Sequence, residues 1–273
     1  RCFAALRGEP LSVVTSAWRA AGESGIAPAR SERDRGQMLP PLPWFPAVFA
    51  LVRTGLFVVG VTSAAVTAAT RTIVKEGIDP SGFDDSRHHW RNIIQPERFM
   101  QATGPDQPAY APEQVREIAA NILLFQRANG GWPKDYDMRA VLTEEQKKQV
   151  RATQAKTDTS YDNHNTHTQV AYLAKAFVAT GDPGLRDACV RGVDFILSSQ
   201  YANGGFPQWW PNPGSIAKRI TLNDGVMIGI MNVLKDAADR GPDFAWLDET
   251  RRLRCAEAEA RGTACLLKMQ VTA

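Results

Sequence analysis

The sequence has only four cysteines in 273 residues, and none has the spacing of a zinc-binding motif. Cys2 lies in an arginine-rich N-terminal stretch. Cys255 and Cys265 fall on one predicted helix, about 15 Å apart along its axis, which is too far for a disulfide. We therefore expect Cys189, Cys255 and Cys265 to be ordinary buried thiols rather than metal ligands.

A strong excess of basic charge is also missing. The formal net charge is +3, and the first 75 residues carry nine basic but only four acidic side chains, so the rest is slightly acidic. A nucleic-acid-binding protein needs many contacts to phosphates. This balance argues against nucleic acid as a partner, and a polyanionic ligand would need a local basic cluster or metal ions.

The apolar residues that begin near Trp44 do not form one uninterrupted run, because Arg53 divides them. Arg53 is followed by an apolar stretch that passes into small residues, which is typical of a signal peptide over residues 53–70. A membrane-spanning helix is the weaker interpretation. Residues 1–52 have no sustained periodicity and are predicted to be disordered or non-native upstream sequence. We expect a secreted or periplasmic protein, free of the membrane after signal cleavage, whose mature chain begins between Ala65 and Thr72.

Strand-like alternation of apolar residues is almost absent after Pro112, and helical spacing takes its place. One apolar helix runs into Gln126–Lys134 and a second into Gln200–Gln208, 74 residues later, and both segments contain Asn-Gly-Gly, an aromatic residue and proline. A third helix is predicted over 251–270. This repeat predicts an all-α fold of helix hairpins around an axis, an (α/α)3 toroid that is incomplete in this chain.

Each Gly-Gly turn is followed by a polar, aspartate-bearing segment and then by another apolar helix. The first segment, 159–169, contains Asp162 and Asn163, and the second, 219–227, contains Asp224. If successive helix pairs are antiparallel hairpins, all inner helices point the same way. We therefore expect both aspartates and both turns at one end of the toroid, where we place the active face.

Asp162, Asn163 and Asp224 offer hard oxygen ligands, which suit Ca2+ or another hard divalent ion, with water or substrate carboxylates as further ligands. An alternative interpretation is that both aspartates only cap helices. His164 and His167 could belong to a zinc site, but zinc needs three or four closely spaced ligands. The pattern therefore favours calcium or another hard divalent ion over zinc.

Two further residues are predicted to contact a substrate. Lys134 is the cation best placed near the proposed face to meet a carboxylate, and His167 is interpreted as a group behind the ion or a hydrogen-bonding partner of a sugar. His88 and His89 are expected at the surface. The aromatic residues Trp132, Phe206, Trp209 and Trp210 are expected to pack the turns rather than to stack on sugars.

These segments together resemble the polysaccharide lyase family 10 pectate lyases. The matching motifs are the two Asn-Gly-Gly turns, the Asp162-Asn163 element with Thr166 to Thr168, and the Asn-Asp-Gly element at Asp224, within roughly Trp90 to Gln270. The chain departs from the family at His164-Asn165, where a small pair such as Gly-Ala is usual. This departure concerns the loop shape and leaves the ligands in place.

The resemblance implies a toroid that cleaves polygalacturonate by calcium-dependent anti β-elimination. In the family, the residues that match Asp162 and Asp224 hold calcium at the substrate carboxylate, with the residue matching Asn163 adjacent. The family's base is an arginine well downstream of the second aspartate, and on family spacing it lies beyond Ala273, so no catalytic base is assigned here. Residues 76–273 are then the N-terminal two-thirds of a catalytic domain, and we expect this chain alone to be inactive and monomeric.

Two other functions are compatible with parts of the pattern. A non-catalytic fragment could bind calcium and pectate without cleaving the polymer. The glutamine, glycine and tryptophan at Gln126, Gly130 and Trp132 also resemble the repeat of the triterpene cyclases, another α/α family. Those enzymes protonate their substrate with an Asp-x-Asp-Asp acid, and the sequence has no such run, Asp135-Tyr-Asp137-Met being the nearest.

Overall fold

The computed structural model describes residues 77–92, 106–211 and 218–270. The predicted upstream segment, 1–52, and the predicted signal peptide, 53–70, lie outside these residues. Within the described ranges, no helix is long and apolar enough to cross a membrane.

Seven α-helices account for the regular structure of the described residues. In chain order they are α1 (Asp84–Asn92), α2 (Val115–Phe125), α3 (Glu144–Arg151), α4 (His167–Thr180), α5 (Pro183–Ser199), α6 (Val226–Ala238) and α7 (Glu249–Lys268). A short 3-10 helix, Ser81–Phe83, leads into α1. Extended pairing in the same ranges is limited to isolated bridges, such as Pro207 with Ile220. The prediction of an all-α fold is confirmed.

The long helices pack as hairpins in two layers. Helix α4 packs on α5 and α6 packs on α7, and each pair is consecutive in the chain. Helix α4 also contacts α6, whereas α5 contacts α7 and α2 contacts both α4 and α5. The inner layer is therefore formed by α4 and α6, and the outer layer by α2, α5 and α7. This is the helix–turn–helix repeat that the toroid prediction requires.

The ends of the helices follow local capping chemistry. Gly181 ends α4 in the left-handed conformation at φ 70°. The side chain of Asp182 then accepts from Gly184 N to open α5, with Pro183 at the first helical position. Thr143 and Gln146 form a capping box at the start of α3.

The apolar stripes of the sequence form one core between the two layers. Ile118, Ile122, Leu173, Ile196 and Ile230 are completely buried in it. The two aromatic residues that follow the Gly-Gly turns are buried there too: Trp132 and Phe206. Cys189, Cys255 and Cys265 are buried free thiols, as predicted, and burial raises the pKa of Cys189 and Cys255.

A glutamine side chain joins each Gly-Gly turn to the next outer helix. Gln126 Nε2 donates to the carbonyl oxygens of Gly130 and Ala188, both at 2.9 Å. Gln126 Oε1 accepts from the guanidinium of Arg191 at 2.6 Å. The carboxamide therefore satisfies one carbonyl of its own turn and one carbonyl of α5. We call this arrangement the glutamine bridge.

The second repeat unit has an equivalent glutamine bridge. Gln200 Nε2 donates to Gly204 O at 3.0 Å and to Ala258 O of α7 at 2.7 Å, and Arg261 donates to Gln200 Oε1. In this turn Gly204 has a φ of +91°, and a Cβ there would lie 2.1 Å from Arg261 O. The repeat seen in the sequence is therefore a repeat of contacts, and the close approach of turn and helix requires glycine.

Candidate active site

The two polar segments meet at one end of the inner layer. Asp162 precedes α4 and Asp224 precedes α6, and their carboxyl groups are close enough for each to shift the pKa of the other. His164 N donates to Asp224 O at 3.3 Å, which ties the two segments together through the backbone. The expectation that both aspartates lie at one end is confirmed.

The two aspartates do not cap these helices. The N-cap of α4 is Thr166 and that of α6 is Gly225, and neither helix has a side-chain cap hydrogen bond. Asp162 instead accepts from Lys134 Nζ through Oδ2 and from Gln208 Nε2 through Oδ1, both at 2.5 Å. The interpretation of the aspartates as simple caps is wrong, because their oxygens face the turns and each other.

The backbone around the site is held in an unusual conformation. Asn163, His164, Thr166 and Asp224 all have positive φ angles, between 51° and 64°. Such angles are uncommon outside glycine, and a β-branched residue such as Thr166 is a marked exception. Thr166 Oγ1 donates to Ser160 O at 2.7 Å and accepts from Trp132 N at 3.2 Å. A conformation fixed this firmly is typical of a functional site.

The pKa values of the two aspartates move in opposite directions. Burial opposes ionisation of Asp162, but hydrogen bonds from Lys134, Asp224 and Gln208 outweigh it and lower its pKa. The pKa of Asp224 is raised by burial first, and then by the hydrogen bond to Asp162 and the negative charges of Asp162 and Asp85. The pair therefore holds one ionised carboxylate and one that resists ionisation beside it.

Lys134 lies against the predicted ligands. Its Nζ is 3.3 Å from Asn163 Oδ1 in addition to the contact with Asp162, and 3.7 Å from Asp135 Oδ2. It also lies 5.8 Å from the centre of the Trp209 ring. Only 14% of its side chain is exposed. Lys134 is thus an integral part of the site rather than a solvated surface lysine.

The residues present fit a hard divalent cation. Asp162, Asp224 and Asn163 supply oxygen donors only, and a cation would relieve the like-charge contact that raises the pKa of Asp224. Within the described ranges, no group of three or more His, Cys, Asp or Glu side chains is arranged to hold a metal. Two carboxylates and one amide oxygen therefore leave ligand positions for water or for carboxylates of a substrate.

The chain matches the sequence profile of a known protein family. The sequence profile of the family described as pectic acid lyase matches residues 126–273, which is more than half of the chain. The chain belongs to the pectic acid lyase family. The match contains both glutamine bridges and the paired aspartates, and it begins after α1 and α2. The resemblance to pectate lyases found in the sequence is confirmed.

Two solved structures are similar to this pectic acid lyase chain. A mutant of the family 10 polysaccharide lyase from Cellvibrio cellulosa, in complex with trigalacturonic acid, is 25% identical, with 57% of this chain and 50% of that chain covered and a TM-score of 0.46. The family 10 polysaccharide lyase from the same organism is 23% identical, with 71% and 53% covered and a TM-score of 0.48. The chain spans about half the length of these structures. A search of curated proteins gave no match.

The structure of the pectic acid lyase chain buries one predicted substrate-binding residue. His167 is 5% exposed, and its Nε2 has no hydrogen-bond partner. Its ring packs so closely on Gly229 that a Cβ there would lie 2.2 Å from Cε1. Burial and the neighbouring His164 lower the pKa of His167 to about 3. This position does not fit a contact with a sugar, and His164 is the exposed member of the pair.

Helix α1 brings residues to the pectic acid lyase site that the sequence interpretation missed. His88 is exposed, as expected, but His89 Nε2 lies 2.7 Å from Asn163 Nδ2. Asp85 Oδ2 accepts from the same Asn163 nitrogen at 3.2 Å. The expectation that His89 is a simple surface residue is wrong. No local signal identifies it, because α1 lies more than 70 residues before Asn163.

A groove adjoins the site on the side of Trp209. It has a volume of about 510 Å3 and is lined by Ala155, Lys156, Thr157, Asp158 and Trp209. Lys156 is exposed there, and Lys134 Nζ lies over the Trp209 ring. Trp209 therefore links the groove to Lys134 of the site, and Lys156 gives the groove a cation of its own.

Proposed function

We propose that this chain is part of a pectate lyase that binds calcium and polygalacturonate for cleavage by β-elimination. The observation that carries the proposal is the meeting of Asp162, Asp224 and Asn163 beside Lys134 at the entrances of two inner helices. Membership in the pectic acid lyase family supports it. We also propose that the protein is exported by a signal peptide before the described residues and that it is a monomer.

Asp162, Asn163 and Asp224 would hold the calcium ion, with Asp224 ionising as the ion binds. Calcium at this position would neutralise a galacturonate carboxylate and so make the C5 proton beside that carboxylate easier to remove. Lys134 can turn its ammonium group towards the same carboxylate or a neighbouring one, because it is a point charge on a flexible stem. These side chains orient the sugar unit at which the elimination takes place.

The groove offers a surface along which the bound polymer would extend from the site. A polygalacturonate chain carries one carboxylate on each sugar, and Trp209 lies near Lys134 and lines the groove together with Lys156. Two cations near one aromatic ring match a chain of acidic sugars, because the ring offers an apolar face and the lysines offer charge. A slightly acidic protein can therefore bind this polyanion through a local cluster.

A calcium-dependent binder without lyase activity is the second candidate function. No described residue is assigned as the base that removes the C5 proton, and the proposed base is an arginine outside the described ranges. Binding requires only the ligands, Lys134 and the groove, whereas cleavage requires the base as well. General-base catalysis contributes about 10²- to 10⁴-fold in rate, so the two functions separate clearly in an activity assay.

The proposal is tested by the ultraviolet absorbance of unsaturated uronides formed from polygalacturonate, measured with calcium and with chelator. Calorimetric titration measures the binding of calcium and of pectate in parallel. Asp162→Ala is expected to abolish calcium binding and calcium-dependent pectate binding. Asp187→Ala, in an exposed ion pair on α5, serves as the control. Calcium-dependent pectate binding without product identifies the binder, and calcium-independent pectate binding by Asp162→Ala contradicts both functions.

A further inference from the structure

Helix α1 lies outside the part of the chain that matches the pectic acid lyase family, and yet it contacts Asn163 in three ways. Ser86 Oγ donates to the carbonyl oxygen of Asn163 at 3.0 Å. His89 Nε2 and Asp85 Oδ2 lie 2.7 Å and 3.2 Å from its side-chain nitrogen. One short helix therefore holds both the backbone and the side chain of a proposed calcium ligand.

The contacts determine which way the Asn163 amide points. Its nitrogen can only donate and its oxygen can only accept. With the nitrogen towards Asp85 and His89, the oxygen faces Lys134 Nζ and lies on the side of Asp162 Oδ2. A flipped amide would place an acceptor against the Asp85 carboxylate and a donor against the Lys134 ammonium. Both contacts would then be repulsive.

The tautomer of His89 follows from the same contacts. Because Asn163 Nδ2 donates, His89 Nε2 accepts, and the neutral ring then carries its proton on Nδ1. His89 Nδ1 faces Asp135 Oδ1 at 3.5 Å, and Asp135 is buried with 1% exposure. The buried Asp135 carboxylate therefore lies at ion-pair distance from the Nδ1 side of the ring, and the Nε2 side contacts the amide.

We propose that His89, oriented by the charge of Asp135, is a positioning residue that holds the Asn163 amide with its oxygen turned towards Asp162 in the proposed calcium site. The proposal rests on the proposed calcium site. Side chains that hold a metal ligand in place without touching the metal typically change metal affinity by about 10- to 100-fold when they are removed. His89 would contribute without touching the ion, because a rotated amide presents its nitrogen to the cation.

Calcium affinity of the 273-residue chain tests the proposal, with Tb3+ luminescence as a second probe of the ion site. His89→Leu is expected to weaken calcium binding about tenfold or more. His89→Gln retains an acceptor and is expected to recover most of the affinity. His88→Leu, the neighbouring exposed histidine, is the matched control and is expected to stay within twofold of wild type. Thermal unfolding of each variant verifies that it is folded.

The Asn163→Asp variant, combined with His89→Leu, tests whether His89 acts through the orientation of the Asn163 amide. A carboxylate has two equivalent oxygens, so nothing remains for His89 to orient, and adding His89→Leu should change affinity by less than twofold. If His89→Leu lowers calcium affinity equally in the wild-type and the Asn163→Asp proteins, the proposal is overturned. It is also overturned if His89→Leu binds calcium with wild-type affinity while Asp162→Ala has lost calcium binding.

The side-chain amide signals of Asn163 in 15N NMR separate this proposal from the proposed function. They should shift and exchange faster with solvent in His89→Leu but not in His88→Leu, with no metal added. If Asp162→Ala binds calcium as well as wild type, the proposed function fails. Unchanged Asn163 amide signals in His89→Leu overturn the positioning role independently of any calcium result.

Discussion

Lys134 and Gln208 occupy the same place in the two repeat units and donate to opposite oxygens of one carboxylate, that of Asp162. Each is the last residue of its Asn-Gly-Gly segment. One repeat therefore supplies a cation and the other a neutral amide to the same acceptor. The internal symmetry of the fold thus gives rise to an asymmetric site, with positive charge on one side of Asp162 only.

Asp224→Asn should have opposite effects on calcium binding and on stability. The raised pKa of Asp224 means that its ionised form is unfavourable beside Asp162 in the folded protein, so the neutral amide should stabilise the fold at pH 7. This gain should shrink as the pH falls towards the ordinary aspartate pKa, where the wild-type group is already protonated. Calcium affinity should fall roughly 100-fold with the lost charge.

Calorimetric titration and denaturant unfolding of Asp224→Asn at pH 7 and pH 4 measure both effects. A variant that loses stability and keeps its calcium affinity contradicts this prediction and restores a purely structural role for Asp224.

Lys134→Met should tighten calcium binding and weaken pectate binding. The Lys134 ammonium contacts two of the three proposed ligands and competes with a cation for them, so its removal should raise calcium affinity roughly tenfold. The same removal takes away a positive charge that a galacturonate carboxylate would meet. Lys156→Met, in the adjoining groove, should weaken pectate binding and leave calcium affinity unchanged. Parallel titrations of both variants make the comparison, and weaker calcium binding in Lys134→Met would rule out competition.

Gln126→Ala should destabilise the fold more than Gln200→Ala. Removing Gln126, which is 5% exposed, leaves two carbonyl oxygens and the Arg191 guanidinium without this partner, at a cost of about 3 kcal/mol. Gln200 is half-buried, so water can replace part of its bridge, and we expect about 1 kcal/mol. Denaturant unfolding gives both values. Equal small losses would show that the glutamine bridges contribute little.

His167 should make the fold sensitive to mild acid. Its pKa is lowered to about 3 in the folded protein, against about 6.5 in an unfolded chain, so the unfolded state binds the extra proton between these values. Stability is therefore complete above pH 6.5 and decreases as the pH falls, by about 2 kcal/mol at pH 5. His167→Leu should be at least as stable at pH 7 and lose less on acidification. Parallel loss in both proteins would assign the acid sensitivity to other groups.

The features that could be predicted from the sequence are those that depend on local spacing. Apolar stripes gave the helices, and the Asn-Gly-Gly repeat located the turns, because only glycine allows the approach seen at Gly204. The common orientation of the inner helices then brought Asp162 and Asp224 together. These predictions required no knowledge of which side chains touch.

The remaining features depend on contacts between distant residues. His167 is buried because Gly229, from another helix, has no side chain to keep its ring at the surface. Its polar identity suggested exposure instead. His89 reaches Asn163 through α1, a short helix with few apolar residues and no repeat partner. Its place in the fold cannot be read from periodicity.

The glutamine bridges also affect the cooperativity of unfolding. Each carboxamide bonds a carbonyl of its own turn and a carbonyl of the following hairpin, so neither unit is complete in itself. When one unit unfolds, carbonyl oxygens of its neighbour lose their hydrogen-bond donor, so the loss of one hairpin lowers the stability of the next. A stack coupled in this way melts as a whole, whereas units held only by apolar faces would fray one at a time from an edge.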